Sequence, residues 1–401
     1  MLDQLQDKQR VLLSSIEKIK FTRDAISLIN NDEKLVALVG ARGVGKTTLL
    51  LQYISSMPYD EVLYFSADDI SITDIGLYKI ADEFYKLGGR LLVIDEIHSF
   101  ANWASHIKNI YDFLPDMKIR ISGSSMLNIL LQSYDLSRRV VVKKLNTLRF
   151  DEYLKIQHNI TIPTITFNEI VKNHCDISFQ LTNKNPKLFK FFADYLKIGY
   201  YPYFLTSDSY KNFVSKLYNS LEKIIYEDIP ATNNIKFENL SNFKKLIYKI
   251  ITAGVPFEVQ INTLAKDLGL SPPSLYSYLD ILSKTGIFKT IKKYSKKVSK
   301  KPAKIYFQNT NILQAVAFNE GIPVNIGTLR ETFFMNCFDE IYLPNSGDFN
   351  VNETIFEVGG KNKDFKQIDK AQNSYLVIDV DTNTNKRKIP LWLFSLMTNN
   401  P

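Results

Sequence analysis

Residues 35–48 read Leu-Val-Ala-Leu-Val-Gly-Ala-Arg-Gly-Val-Gly-Lys-Thr-Thr, and no other stretch constrains the fold as much. The five apolar residues 35–39 have the composition of a buried strand. The run breaks at Gly40, passes through Ala41, Arg42, Gly43, Val44 and Gly45, and resumes at Lys46, Thr47 and Thr48 with helical character. Strand, small-residue loop and helix in that order let consecutive backbone N–H groups point at anionic oxygens. The helix adds its positive N-terminal end. The G-x-x-x-x-G-K-T spacing assigns Lys46 to the β- and γ-phosphates of a nucleotide and the Thr47 hydroxyl to Mg²⁺.

The segment 34–155 goes on alternating strand and helix patterns, as a parallel α/β sheet requires. A second strand spans 61–66. A third, Leu91-Leu92-Val93-Ile94, runs directly into Asp95-Glu96. Four apolar residues followed by two acids, on a separate strand some distance after a phosphate loop, form a Walker B arrangement. Asp95 is then the Mg²⁺ ligand and Glu96 the carboxylate that polarises an attacking water. A fourth strand, 118–121, ends in Ser122-Gly123-Ser124-Ser125, where Ser122 could sense the γ-phosphate. Before a fifth strand at 140–145 stand Arg138 and Arg139, candidates for a finger supplied to a neighbouring subunit's nucleotide. His98 and His106 follow the acids on an expected helix and read as packed or solvated, since no third histidine or cysteine joins them in a metal-binding pattern. No N-K-x-D pattern selects guanine, so adenine, and hence ATP, is expected.

The chain has 401 residues, which suits two to three domains, and a net charge of +8. The charge favours a polyanionic partner no more than it favours a lysine-rich surface. Two distant cysteines exclude a disulfide framework. No 18-residue apolar run and no signal pattern is present, so a cytoplasmic protein without a membrane partner is expected.

Several blocks occur in a fixed order: Gly40–Thr48, Leu91–Glu96, Ile121–Ser124, Ser137-Arg138-Arg139 and Leu148–Leu154. Gly199-Tyr200-Tyr201-Pro202, Gly327–Phe333, Phe356–Lys361 and Ile389–Trp392 follow. This order resembles a prokaryotic family of AAA+-type P-loop ATPases with a C-terminal domain of unknown function, related in fold to restriction endonucleases. The resemblance implies a parallel α/β P-loop sheet, then a helical lid, a winged-helix module and an α/β nuclease-like domain. The expected segments are a helical lead-in at 1–33, the ATPase core at 34–155, a lid or linker at 156–257, the winged-helix-like module at 258–315 and the nuclease-like domain at 316–401. Lids of such ATPases often place an arginine on the γ-phosphate, but no arginine occurs between Arg149 and Arg330. The aromatic cluster 200–204 reads as core.

Within 258–308, Ser271-Pro272-Pro273-Ser274 opens a helix with serine as cap and proline in the first turn. That helix carries no Lys or Arg through Ser283. The wing after it carries Lys289, Lys292, Lys293, Lys296, Lys297, Lys300, Lys301 and Lys304. A lysine wing beside an uncharged helix suits phosphate contacts on double-stranded DNA without base reading, with Lys292, Lys293, Lys296 and Lys297 as the contacts. In the last segment, Glu331, Asp348, Glu357 and Lys361 are the candidates for a nuclease-type metal site, although a same-face pair two apart would set the lysine beside the carboxylate and the wider spacing of Glu357 and Lys361, across Gly359 and Gly360, need not. The expectation is an ATP-binding and ATP-hydrolysing switch or remodeller acting on DNA, with the arginines implying a homo-oligomer. An ATP-gated nuclease and a protein-interaction switch without DNA are the alternatives.

Overall fold

The structure, a computed structural model, describes residues 1–72, 75–123, 136, 138–232, 235–254, 256–295, 301–369 and 371–397. Ser124, Ser125, Ser137, Lys296, Lys297 and Lys300 lie outside the described residues. The chain divides into two compact units, Met1–Thr147 with Tyr226–Asn234, and Leu148–Ile225 with Ile235–Pro401.

In the first unit, β1 (Leu35–Val39), β2 (Val62–Ser66), β3 (Leu91–Asp95), β4 (Lys118–Gly123) and β5 (Val140–Lys144) form a parallel sheet in the order β2-β3-β4-β1-β5. Every residue of β1 and β3 is buried, as strands covered on both faces must be. The helices α2 (Lys46–Ile54), α3 (Leu77–Lys86) and α4 (Trp103–Phe113) follow β1, β2 and β3. Leu77, Ile80 and Phe84 of α3 and Trp103, Ile107 and Ile110 of α4 share one apolar cluster with the strands. Burying a side chain of this size contributes about 1.5–3 kcal/mol each.

The lead-in helix α1 (Leu2–Ile16) belongs to this unit, and a buried glutamine fixes it there. Gln9 donates to Val62 O at 3.3 Å and accepts from Tyr64 N at 2.7 Å. The amide thereby satisfies two backbone groups of the edge strand β2, which would otherwise remain open for pairing. On the central strand β4, Arg120 is fully buried. Its guanidinium donates to the carbonyls of Ile29, Asn31 and Glu33 at 2.8 Å each, clamping the turn that leads into β1.

The second unit begins with helices, including Phe150–His158, Phe167–Lys184, Tyr210–Lys223 and Ser241–Thr252. Tyr200, Tyr201 and Phe204 are buried, and the stacked rings of Tyr195 and Tyr200 lie 4.6 Å apart. These aromatics are core. Two helices, Ile261–Leu268 and Pro272–Lys284, meet at Gly269, whose φ of 66° permits the tight turn. Ser271 caps the second helix by accepting from Ser274 N at 3.2 Å. The strands β6 (Phe257–Glu258), β7 (Phe288–Lys293) and β8 (Lys304–Phe307) follow as an antiparallel set in the order β7-β8-β6.

The segments expected at 258–315 and 316–401 are joined by a shared sheet. β9 (Tyr342–Leu343) pairs in parallel with β7, Lys292 facing Tyr342 and Lys293 facing Leu343. β10 (Phe349–Val351), β11 (Thr354–Gly359), β12 (Ser374–Ile378) and β13 (Lys388–Pro390) then extend a single eight-stranded sheet. By compactness, the expected lead-in groups with the expected core as far as Thr147 and with Tyr226–Asn234, while residues 148–155 group with the helices, hairpin and C-terminal strands. The physical reason is strand pairing and burial across segments, which local patterns do not encode.

Candidate functional site

The site of the first unit lies at the carboxyl ends of β1, β3 and β4, where open α/β sheets bind ligands. Gly40 leaves β1 so close to the chain beyond β5 that an added Cβ would lie 2.5 Å from Leu145 O, so only glycine fits. Gly43 and Gly45 have φ of 84° and 95°, the left-handed region that glycine enters without strain. Arg23 supports the loop from behind, donating to Val44 O at 3.2 Å and Thr147 O at 3.3 Å. The loop therefore has the close curvature that its sequence predicts, from Gly40 through Ala41, Arg42, Gly43, Val44 and Gly45 into Lys46, Thr47 and Thr48.

Lys46 is buried, and its ammonium donates to Gly40 O at 3.0 Å and Ala41 O at 3.2 Å. Burial pushes its pKa down, while Glu96, Asp95 and Asp228 pull it back up. Asp95 is the centre of the site. Its Oδ2 accepts from Thr47 Oγ1 at 2.5 Å and from Tyr64 OH at 3.0 Å, and its Oδ1 accepts from Ser122 Oγ and from Glu96 N at 3.1 Å. The structure thus gathers Lys46, Thr47, Asp95, Glu96 and Ser122 in one place. The donors around Asp95 are hydroxyl and carboxylate oxygens, the hard ligand set that suits Mg²⁺.

Glu96 has φ of 48°, a left-handed conformation that a residue with a Cβ rarely adopts. Such a backbone costs roughly 1–3 kcal/mol and concentrates at functional sites. Its Oε2 lies 3.5 Å from His98 Nε2. His98 reaches it because residues 97–99 form a single 3-10 turn rather than the α-helix expected there. His106 lies edge-on to Phe100 at 5.2 Å, a packing role. Sequence reasoning also missed Tyr64, the second-strand partner of Asp95, and Asp228, which ion-pairs with Arg42 at 3.1 Å. Asp228 belongs to a segment far from the motif in sequence, and only the chain's return to this unit brings it near.

The arginine pair separates. Arg139 makes a two-pronged ion pair with Asp112 on α4, at 2.9 and 3.0 Å, while Arg138 is exposed.

In the second unit, burial is the largest cause raising the pKa of Glu331, Asp348 and Glu357, and the Asp348 charge raises Glu331 and Glu357 further. Glu331 is pushed up to about 7. Lys361 is exposed. Lys363, two residues later, pairs with the fully buried Glu357 instead. The wing is partly revised too: Lys289 turns inward and donates to Met335 O at 3.2 Å, whereas Lys292 and Lys293 are exposed.

Residues 32–154 match the family described as an AAA domain, and residues 190–322 match a domain of unknown function, DUF8612. The uncharacterised protein MJ1637 of Methanocaldococcus jannaschii is 30% identical over 88% of this chain and 83% of its own length. The uncharacterised protein MJ1544 of the same organism is 23% identical over 92% of this chain and 82% of its own. Among solved structures, the Walker-type ATPase PABY2304 of Pyrococcus abyssi matches 77% of this chain and 94% of its own at 14% identity, with a TM-score of 0.41. The Aeropyrum pernix ORC1 protein in complex with DNA matches 79% and 92% at 13% identity, with a TM-score of 0.30.

Proposed function

The chain belongs to the same family as MJ1637, with an AAA domain at its phosphate loop, and from that premise we propose that it binds Mg-ATP and hydrolyses it as a switch or remodeller acting on duplex DNA. The observation that carries the ATP reading is the convergence of Thr47, Ser122 and Glu96 N on the Asp95 carboxylate. Backbone N–H groups of the loop and Lys46 hold the triphosphate. Thr47 and Asp95 would hold Mg²⁺, which would supply positive charge against the phosphates. Glu96 takes a proton from the attacking water, its strained backbone and His98 fixing its orientation. Ser122, bonded to Asp95 and accepting from Glu96 N at 3.3 Å, links that base to the metal ligand.

The DNA reading rests on exposed Lys292 and Lys293 beside a helix, Pro272–Lys284, whose body carries no base-reading cation. In this reading the two helices and the hairpin act as a winged helix that grips phosphates. A second reading, an ATP-gated nuclease, is favoured by the carboxylates at 331, 348 and 357 with Lys363 in the place expected for Lys361. The deciding experiment measures ATPase rate with and without DNA, for wild type and Glu96→Gln, with supercoiled plasmid as the DNA. DNA-stimulated turnover without strand breaks supports the first reading. Metal-dependent nicking supports the second, and absence of turnover in wild type rejects both.

A further inference from the structure

The segment Tyr226–Asn234 lies nearly the width of a domain away in sequence from the phosphate loop, yet it belongs to the same compact unit. It carries two adjacent acids to the loop. Arg42 Nη1 lies 3.1 Å from Asp228 Oδ1 and 3.6 Å from Glu227 Oε2. Glu227 is exposed, but Asp228 is only 4% exposed. Burial pushes the Asp228 carboxyl up, Arg42 and His98 favour its ionised form, and Glu96 and Glu227 oppose it. A buried carboxylate needs favourable partners, and Arg42 is the first of the charges that favour its ionised form. The same guanidinium, mounted between Gly40 and Gly43, has the fork geometry that phosphate oxygens also prefer.

We infer that Asp228 is an internal anion that competes with the triphosphate of ATP for Arg42, so that nucleotide binding loosens the Tyr226–Asn234 segment. The inference rests on the ATP reading above and adds the regulation of that site. Two carboxylates and a triphosphate cannot all be served by one guanidinium. Once Arg42 turns to phosphate, Asp228 loses its main counter-charge and faces further negative charge, with Glu96 already near. The relief is movement of the segment toward water. Binding energy at the loop is thereby converted into motion of a strip of chain that comes from, and returns to, the second body.

The test titrates a fluorescent ATP analogue with Mg²⁺ into wild type, Asp228→Asn, Arg42→Gln and the double variant, and follows amide exchange of the segment. Asp228→Asn should tighten binding about tenfold, because a charge-assisted competitor is removed. The gain should vanish in the Arg42→Gln background. In wild type, ATP should speed exchange in the segment. Glu227→Gln, at an exposed position, gives a smaller gain in the same direction and serves should Asp228→Asn fail to fold. Unchanged or weaker binding in both acid variants overturns the inference. So does an equal gain without Arg42, which would mean plain charge repulsion, or exchange that ATP leaves unaltered. A wild type that does not bind ATP rejects the ATP reading itself, a result distinct from these.

Discussion

Thr47 Oγ1 lies 2.5 Å from Asp95 Oδ2, joining the start of α2 to the end of β3, with β2 and α3 between them in the chain. The contact shows the phosphate loop and the end of β3 in register, with a hydroxyl and a carboxylate side by side where a Mg²⁺ ion would share them. Parallel pairing across β4 sets this register, since Ala37 and Ile94 both face Ile121.

Lys46→Ala is expected to weaken Mg-ATP binding by two orders of magnitude or more, since the ammonium is the motif's own cation for the β- and γ-phosphates. The fluorescent titration measures this. Affinity within a few-fold of wild type would reject the phosphate-loop assignment.

Glu96→Gln should bind ATP as wild type does while hydrolysing it about a hundredfold more slowly, the usual worth of a positioned base. Single-turnover measurements separate the two effects. Full turnover in this variant would reduce Glu96 to an acid at a strand end.

Of the two arginines, Arg138 is the better trans finger, because Arg139 is already committed to Asp112. Arg138→Ala should keep ATP binding and lose hydrolysis, and wild-type activity per subunit should rise with protein concentration. A monomer with concentration-independent activity would leave Arg138 as a surface charge.

Duplex DNA of any sequence should bind at low salt, and if about four wing lysines meet phosphates the slope of log affinity against log salt should be near −4. Replacing Lys292, Lys293, Lys296 and Lys297 by Gln should flatten that slope and weaken all sequences alike. A sequence preference that depends on the helix Pro272–Lys284 and survives loss of the lysines would overturn the wing as the contact surface.

Glu331 gives a pH signature of stability. Burial raises its folded pKa to about 7, above the ordinary carboxylate value of 4.5, so the folded state holds a proton that the unfolded chain has released between these values. Stability therefore falls as pH rises through that window and is unaffected by this group below it. Glu331→Gln should be more stable than wild type at pH 8 by roughly 1–3 kcal/mol and equal to it at pH 4, in denaturant titrations. A constant difference at both pH values would mean that packing, not ionisation, is responsible.

The loop, the β3 acids and Ser122 were legible because each motif is local: a strand end and the few residues after it fix where the side chain goes. Gln9, Tyr64 and Asp228 were not, because their roles depend on which distant strand or segment arrives beside them. His98 was hidden by a 3-10 turn where helical spacing was assumed. Lys363 was hidden because the chain turns after Gly359 and Gly360, so reach in space no longer follows spacing along a strand. The sheet shared by β7 and β9 escaped for a related reason, since two short pairings carry no periodicity of their own.

That two-residue pairing bears on how the protein can be cut. A fragment ending near residue 315 would look like a complete winged module by sequence. It would present β7 as a naked edge, with the backbone groups of Lys292 and Lys293 stripped of Tyr342 and Leu343. Strands left open in this way recruit other chains. Such a deletion would trade a module for an aggregate, and the hairpin and the C-terminal strands should melt as one cooperative block.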